Sequence, residues 1–255
     1  MDLWYWAGLA ATTFFAAVLY TVSGFGFALL AAPLYLMFVD PIRAIQLVII
    51  ISTALSFVVV PGLRQSIAPR LLLRLVLGSL AGLPVGLAAF RLADAVLVRG
   101  VIGMTILTFA VIIAISRRLG RNWAPLLMNP ARDLAAGAAA GIATALVGMA
   151  GPPVLIYLLL AKAGARTVRA TLLAFFALSY GATLASHAVT IGIPGPTWST
   201  AGALIPAALL GGFAGRPIAD RLGAEAFGML AVVLLTVAGI YTAATSAALF
   251  LSAQQ

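Results

Sequence analysis

The chain contains no cysteine and a single histidine, His187. Disulfides, thiol nucleophiles and thiolate metal sites are therefore excluded, as are the histidine-rich clusters that hold zinc. Acids are scarce too: six Asp and Glu in 255 residues, against fifteen Lys and Arg, a formal net charge of +9. Charged residues of both signs amount to only 8%, where a soluble domain carries about 25%. That is too little polar surface to stay monomeric in water, which excludes a soluble enzyme and any disordered or collagen-like chain. What is present is apolar, with 64% hydrophobic residues and a mean hydropathy of +1.16. The basic residues stand singly between long apolar stretches. That pattern marks topology signals at a membrane surface, not a nucleic-acid patch interleaved with aromatics. The chain reads as an all-α polytopic membrane protein.

A spanning helix needs about 20 apolar residues. Charges and Pro/Gly punctuation divide the chain into segments 3–21, 25–39, 42–60, 71–90 and 95–116, then 134–147, 153–161, 170–191, 198–215 and 226–251. The segments ending at Val39 and Ala161 are short for a full span. The N-terminus opens on Asp2 instead of a basic region, so no cleavable signal peptide is expected. Trp4, Tyr5, Trp6, Trp123 and Trp198 fall at segment ends, as an aromatic belt requires.

Loop charges decide whether the two short segments return the chain to its starting side. If they do, as spans or as re-entrant hairpins, twelve basic residues share one side: Arg64, Arg70, Arg74, Arg117, Arg118, Arg121, Arg132, Lys162, Arg166, Arg169, Arg216 and Arg221. Only Arg43, Arg91 and Arg99 face the other. If they do not, the split is eight against seven, which is no bias. The positive-inside rule selects the first arrangement and puts both termini on the non-cytoplasmic side.

The two halves match at equivalent places. Val22-Ser23-Gly24-Phe25-Gly26-Phe27 corresponds to Val147-Gly148-Met149-Ala150-Gly151-Pro152, and Asp40-Pro41-Ile42-Arg43-Ala44 to Arg166-Thr167-Val168-Arg169-Ala170. Gly82 before Arg91-Leu92-Ala93 corresponds to Gly212 before Arg221-Leu222-Gly223. Repeats of five segments, residues 1–121 and 122–255, enter the membrane from opposite sides, the inverted-repeat pattern of secondary transporters. Two such halves rock around one midplane site.

The glycine breaks are the sharpest local feature. Glycine costs about 1 kcal/mol in a helix interior, and Pro153 would disrupt a helix running through it. Interrupted backbone at membrane depth survives only where protein or a water-filled cavity satisfies it, and helix starts there aim N–H groups at an anion. Close helix packing is the plainer use of such glycines. It is the better reading for the small-xxx-small pairs Gly82/Gly86, Gly137/Gly141 and Gly211/Gly215. The expected substrate-binding residues are Ser23, Gly24, Phe25, Gly26, Arg43, Gln46, Gly148, Met149, Gly151, Pro152 and Arg169. Arg43 and Arg91 stand against the charge bias and have repeat partners in Arg169 and Arg221, yet each also fits a snorkelling role at a segment end.

Ser23-Gly24-Phe25-Gly26-Phe27 with Pro33-Leu34, then Gly148-Met149-Ala150-Gly151-Pro152-Pro153 with Tyr157, resembles the TauE/SafE family of sulfite exporters over nearly the whole chain. The resemblance implies a bacterial-type inner-membrane permease for sulfite, organosulfonates such as sulfoacetate, or related small anions. The expected partners are a small anionic substrate and the bilayer, with a homo-oligomer compatible and no cofactor.

Proton-coupled carriers usually keep a carboxylate or histidine inside a span. Asp2, Asp40, Asp94, Asp133, Asp220 and Glu225 all fall at segment ends, and a lone His187 is more often a helix-bridging hydrogen-bond partner. With the cytoplasm negative, a departing anion gains about 2.3 kcal/mol per charge per 100 mV, so export needs no coupled ion. Two rival classes are an assembly subunit without its own substrate and an intramembrane serine hydrolase pairing Ser23 with His187.

Overall fold

The computed structural model describes residues 3–92, 97, 100, 101, 103, 104, 108, 128–161 and 165–221. The described elements are all helical: α1 (Leu3–Ser23), α2 (Phe27–Tyr35), α3 (Pro41–Val59), a 3-10 turn (Val60–Ser66), α4 (Pro69–Leu92), α5 (Pro130–Val147), α6 (Gly151–Leu160), α7 (Ala165–Thr190) and α8 (Gly195–Arg221). Five of these, α1, α3, α4, α7 and α8, are long and apolar enough to cross a membrane. Most of segment 95–116, all of 226–251, and Trp123, Arg99, Arg117, Arg118, Arg121 and Lys162 lie outside the described residues.

Local sequence explains the starts. Asp40 caps α3 by accepting from the Arg43 N–H at 2.9 Å, with Pro41 at the first helical position. Asn129 does the same for α5 with Arg132 at 2.8 Å, ahead of Pro130. A short polar acceptor followed by proline satisfies a free N–H and supplies a residue already set at helical φ.

Contacts fix where each helix points. Let the upper end be the one at which α1 starts. Phe38, just past α2, packs its ring on Tyr5 at 6.3 Å between centroids, so the first short segment does return the chain to the upper end. Asp133 at the start of α5 pairs with Arg74 at the start of α4, and Tyr157 near the end of α6 also reaches Asp133. The second short segment therefore returns to the lower end. Arg91 donates to the Thr190 carbonyl at 2.8 Å and Arg43 to Thr200 Oγ1 at 2.7 Å, which joins the end of α7 and the start of α8 to the upper end. Trp4 and Trp198 are exposed at that same end.

Among the described elements the order long helix, break, short helix, long helix, long helix occurs in α1–α4 and again in α5–α8. α4 packs on α5 as α1 packs on α8, and α3 crosses α7 in the centre. Both flanking pairs rely on glycine. A Cβ on Gly82 would land on the Ala138 backbone, and one on Gly141 on the Ser79 backbone. Across α1 and α8, Gly211 faces the Phe14 carbonyl and Gly215 faces Val18 and Thr21. Small residues allow backbones to approach this closely. Gly82/Gly86, Gly137/Gly141 and Gly211/Gly215 are thus packing residues. Buried Ile45, Leu47, Ile49 and Ile51 of α3 and Phe175 and Phe176 of α7 form the centre. Phe15, Phe57, Leu73 and Leu210 are each at least 59% exposed on the outside, an apolar exterior that suits lipid.

Candidate functional site

The first break follows α1. Gly24 takes a φ of 82°, a left-handed conformation that side-chain-bearing residues rarely adopt, and its N–H closes on the Tyr20 carbonyl at 2.8 Å. Gly26 then caps α2, and having no side chain it offers no acceptor to the N–H groups of the first turn. Arg169 of α7 lies over this break. A Cβ on Gly24 would stand 3.0 Å from Arg169 Cγ, and the guanidinium donates to the Thr21 carbonyl. A cation at the carboxyl end of α1 is stabilised by that helix's dipole.

The second break follows α5. Gly148 takes a φ of 71°, with its N–H on the Thr144 carbonyl at 2.9 Å and the Met149 N–H on the Ala143 carbonyl at 3.4 Å. Such a left-handed glycine recovers carbonyls that the helix end would leave unpaired. Tyr180 of α7 completes the repair. Its hydroxyl donates to the Gly148 carbonyl at 3.2 Å and accepts from the Ala150 N–H at 3.4 Å. Met149 and Ala150 are fully buried. Across the break lie Ile45 and Val48 of α3.

The two glycines sit at different depths, but the short helices that follow them start side by side. A Cβ on Gly151, the first residue of α6, would stand 3.6 Å from the Phe25 carbonyl oxygen and 3.4 Å from Phe176 Cζ. Phe25 directly precedes the cap of α2. The amino ends of two oppositely running half-helices therefore converge beside the middle of α7. Their dipoles place partial positive charge at one spot, a fixed environment that favours an anion. The two ends are unequal donors. Pro152 and Pro153 have no N–H, so α6 offers fewer groups in its first turn than α2 does. An aromatic file of Tyr20, Phe176 and Tyr180 walls this region, with centroids 6.1 and 5.8 Å apart.

A family model described as Sulfite exporter TauE/SafE matches residues 9–242. The chain belongs to this family. No curated protein and no solved structure matches it. Family and spans together make it a multi-pass membrane protein of the TauE/SafE sulfite-exporter, and hence transporter, class.

Within this TauE/SafE chain the expected site residues divide into two groups. Phe25, Gly26, Met149 and Gly151 form the converging half-helix starts and the loops leading to them, and Gly24 and Gly148 make the turns. Ser23 closes α1 and Pro152 is the second residue of α6; their side chains lie outside those described. Arg169 joins this group through Gly24. Arg43 and Gln46 do not. Arg43 holds the Pro196 carbonyl and Thr200 Oγ1 at the start of α8, and Gln46 donates to the Gly192 carbonyl at 2.9 Å. Arg91 binds the Thr190 carbonyl, as a helix-end arginine would, and the side chain of Arg221 is outside those described. His187 is fully buried, with Nε2 3.2 Å from the Ala145 carbonyl, and so bridges α7 to α5. Its proposed serine partner is out of reach. Ser23 is level with Arg169, and eighteen residues of helix put His187 about 27 Å higher.

Tyr180 was not legible from sequence, because an aromatic within an apolar helix reads as core. Tyr180→Phe keeps the ring and removes both hydrogen bonds. Two bonds at about 1 kcal/mol each predict an apparent substrate affinity about thirtyfold weaker. Maximal flux in proteoliposomes should stay within about threefold of the native value. An unchanged KM would show that Tyr180 does not set the geometry of the break.

Proposed function

We propose that this protein exports a small sulfur oxyanion, sulfite or an organosulfonate, across a bacterial-type inner membrane by alternating access. The observation that carries the reading is the convergence of the α2 and α6 starts at Phe25 and Gly151, with Arg169 over the first break. Residues 1–121 and 122–255 form two inverted repeats, and the substrate sits between their breaks. Gly24, Phe25, Gly26, Gly148, Met149, Gly151 and Arg169 make this site. Ser23 and Pro152 flank it, while Arg43 and Gln46 act at its upper approach by holding the turn between α7 and α8. The lower end faces the cytoplasm, since Arg70, Arg74, Arg132, Arg169 and Arg216 gather there. Both termini are then non-cytoplasmic.

The driving force is the membrane potential. A monovalent anion leaving a negative interior gains about 2.3 kcal/mol per 100 mV, roughly a fifty-fold gradient. Purified protein in liposomes, with a potassium diffusion potential imposed by valinomycin, should move radiolabelled sulfite toward the positive side at a rate that rises with the potential. Flux that follows a pH gradient and ignores the potential would overturn the coupling. Organosulfonates should compete and acetate should not; competition by acetate alone would overturn the substrate class.

A further inference from the structure

The lower end contains a second feature that the central site does not use. A cavity of about 430 Å³ opens between the starts of α4, α5 and α7. Arg70, Arg74, Asp133 and Thr167 line it together with Leu71 and Met128. Two guanidinium groups and one carboxylate leave it net positive, and it is open enough for a small anion to enter from solvent. Asp133 is only 2% exposed and has two partners on different elements. Arg74 Nη1 of α4 lies 3.1 Å from its Oδ2, and the Tyr157 hydroxyl of α6 donates to its Oδ1. Tyr157 is six residues from Gly151, so the carboxylate also holds the short helix whose other end forms the second break.

We propose that this cavity is a receiving site for the oxyanion, with Arg70 and Arg74 as its ligands and Asp133 as the anion that the substrate displaces from Arg74. The proposal rests on the carrier function above. A sulfur oxyanion matches a guanidinium fork as a carboxylate does, with two acceptor oxygens for two N–H groups. It therefore competes with Asp133 for the same donors. A buried carboxylate that loses its cation is strongly destabilised where it stands. Relief comes from movement of Asp133 and, through Tyr157, of α6. Loading at the cytoplasmic mouth is thereby linked to the position of the second break. Thr167, at the start of α7, adds a hydroxyl donor to the anion.

The test is equilibrium binding of radiolabelled sulfite to the full chain in detergent. The native protein should show two classes of site. Arg70→Gln should weaken one of them about tenfold and leave the other. Asp133→Asn keeps an acceptor for Tyr157 and removes the competing charge; it should tighten that same class about tenfold while slowing flux in proteoliposomes. A single class, unaffected by either substitution and lost in Arg169→Gln, would overturn the receiving site and leave the carrier reading standing. Absence of sulfite binding together with absence of flux would overturn both. Arg70-dependent retention of phosphatidylglycerol that sulfite does not displace would make the cavity a lipid headgroup site and overturn the proposal.

Discussion

Arg169→Gln is expected to reduce sulfite flux at least about a hundredfold at matched protein abundance. The guanidinium is held between two elements. It donates to the last turn of α1 through Thr21, and its stem rests on Gly24 at the first break. Glutamine loses the charge and the fork together. A charged hydrogen bond contributes about 1.5–3 kcal/mol, and a hundredfold loss corresponds to about 2.8 kcal/mol. Arg169→Lys separates the two contributions. Lysine restores a positive charge but not planar, two-pronged donation, so flux should recover only to about a tenth of the native rate. Counterflow in proteoliposomes checks both variants; native-like flux in Arg169→Gln would remove Arg169 from the site.

Gly82→Leu should be the most damaging change away from the site. Its Cβ would coincide with the Ala138 backbone, which cannot yield as the tip of a flexible side chain can. α4 and α5 would have to separate, breaking the contact along their length. Overpacking of this kind costs about 1–3 kcal/mol or more, and a drop in melting temperature on the order of 10 °C is expected. Gly181→Ala is the matched control, because nothing lies within 4 Å of a Cβ there. It should melt within about 2 °C of the native protein. Thermal unfolding in detergent followed by size-exclusion chromatography distinguishes the two.

Much of this architecture is legible in the sequence because lipid imposes it. Segments 42–60 and 71–90 reappear as Pro41–Val59 and Pro69–Leu92, since the charges and prolines that bound them are also physical helix ends. The breaks were legible for the same reason, glycine being costly inside a helix. The partners of polar groups were not. Arg43 and Arg169 stand at matching places in the sequence pattern, yet one binds the start of α8 and the other the end of α1, because the surfaces they face differ. Asp133 reads as a loop-edge acid; only the fold brings Arg74 and Tyr157 to it and buries it. Tyr35 likewise reads as core, but its hydroxyl lies 2.7 Å from Thr13 Oγ1. Pairs separated by twenty or more residues leave no trace in periodicity.

The backbone-to-backbone seams have a consequence for how such a carrier moves. α4 meets α5, and α1 meets α8, through glycine faces that bring backbone against backbone, with the Arg74–Asp133 ion pair as a side-chain link at the lower end of the first pair. The hydrogen bond between Tyr35 and Thr13 attaches α2 to α1, and that between Tyr157 and Asp133 attaches α6 to α5. A rearrangement that preserves these seams carries α1, α2 and α8 as one unit and α4, α5 and α6 as another. Each unit thus joins helices from distant parts of the chain, and α3 and α7, which pack on each other, are the described long helices that belong to neither.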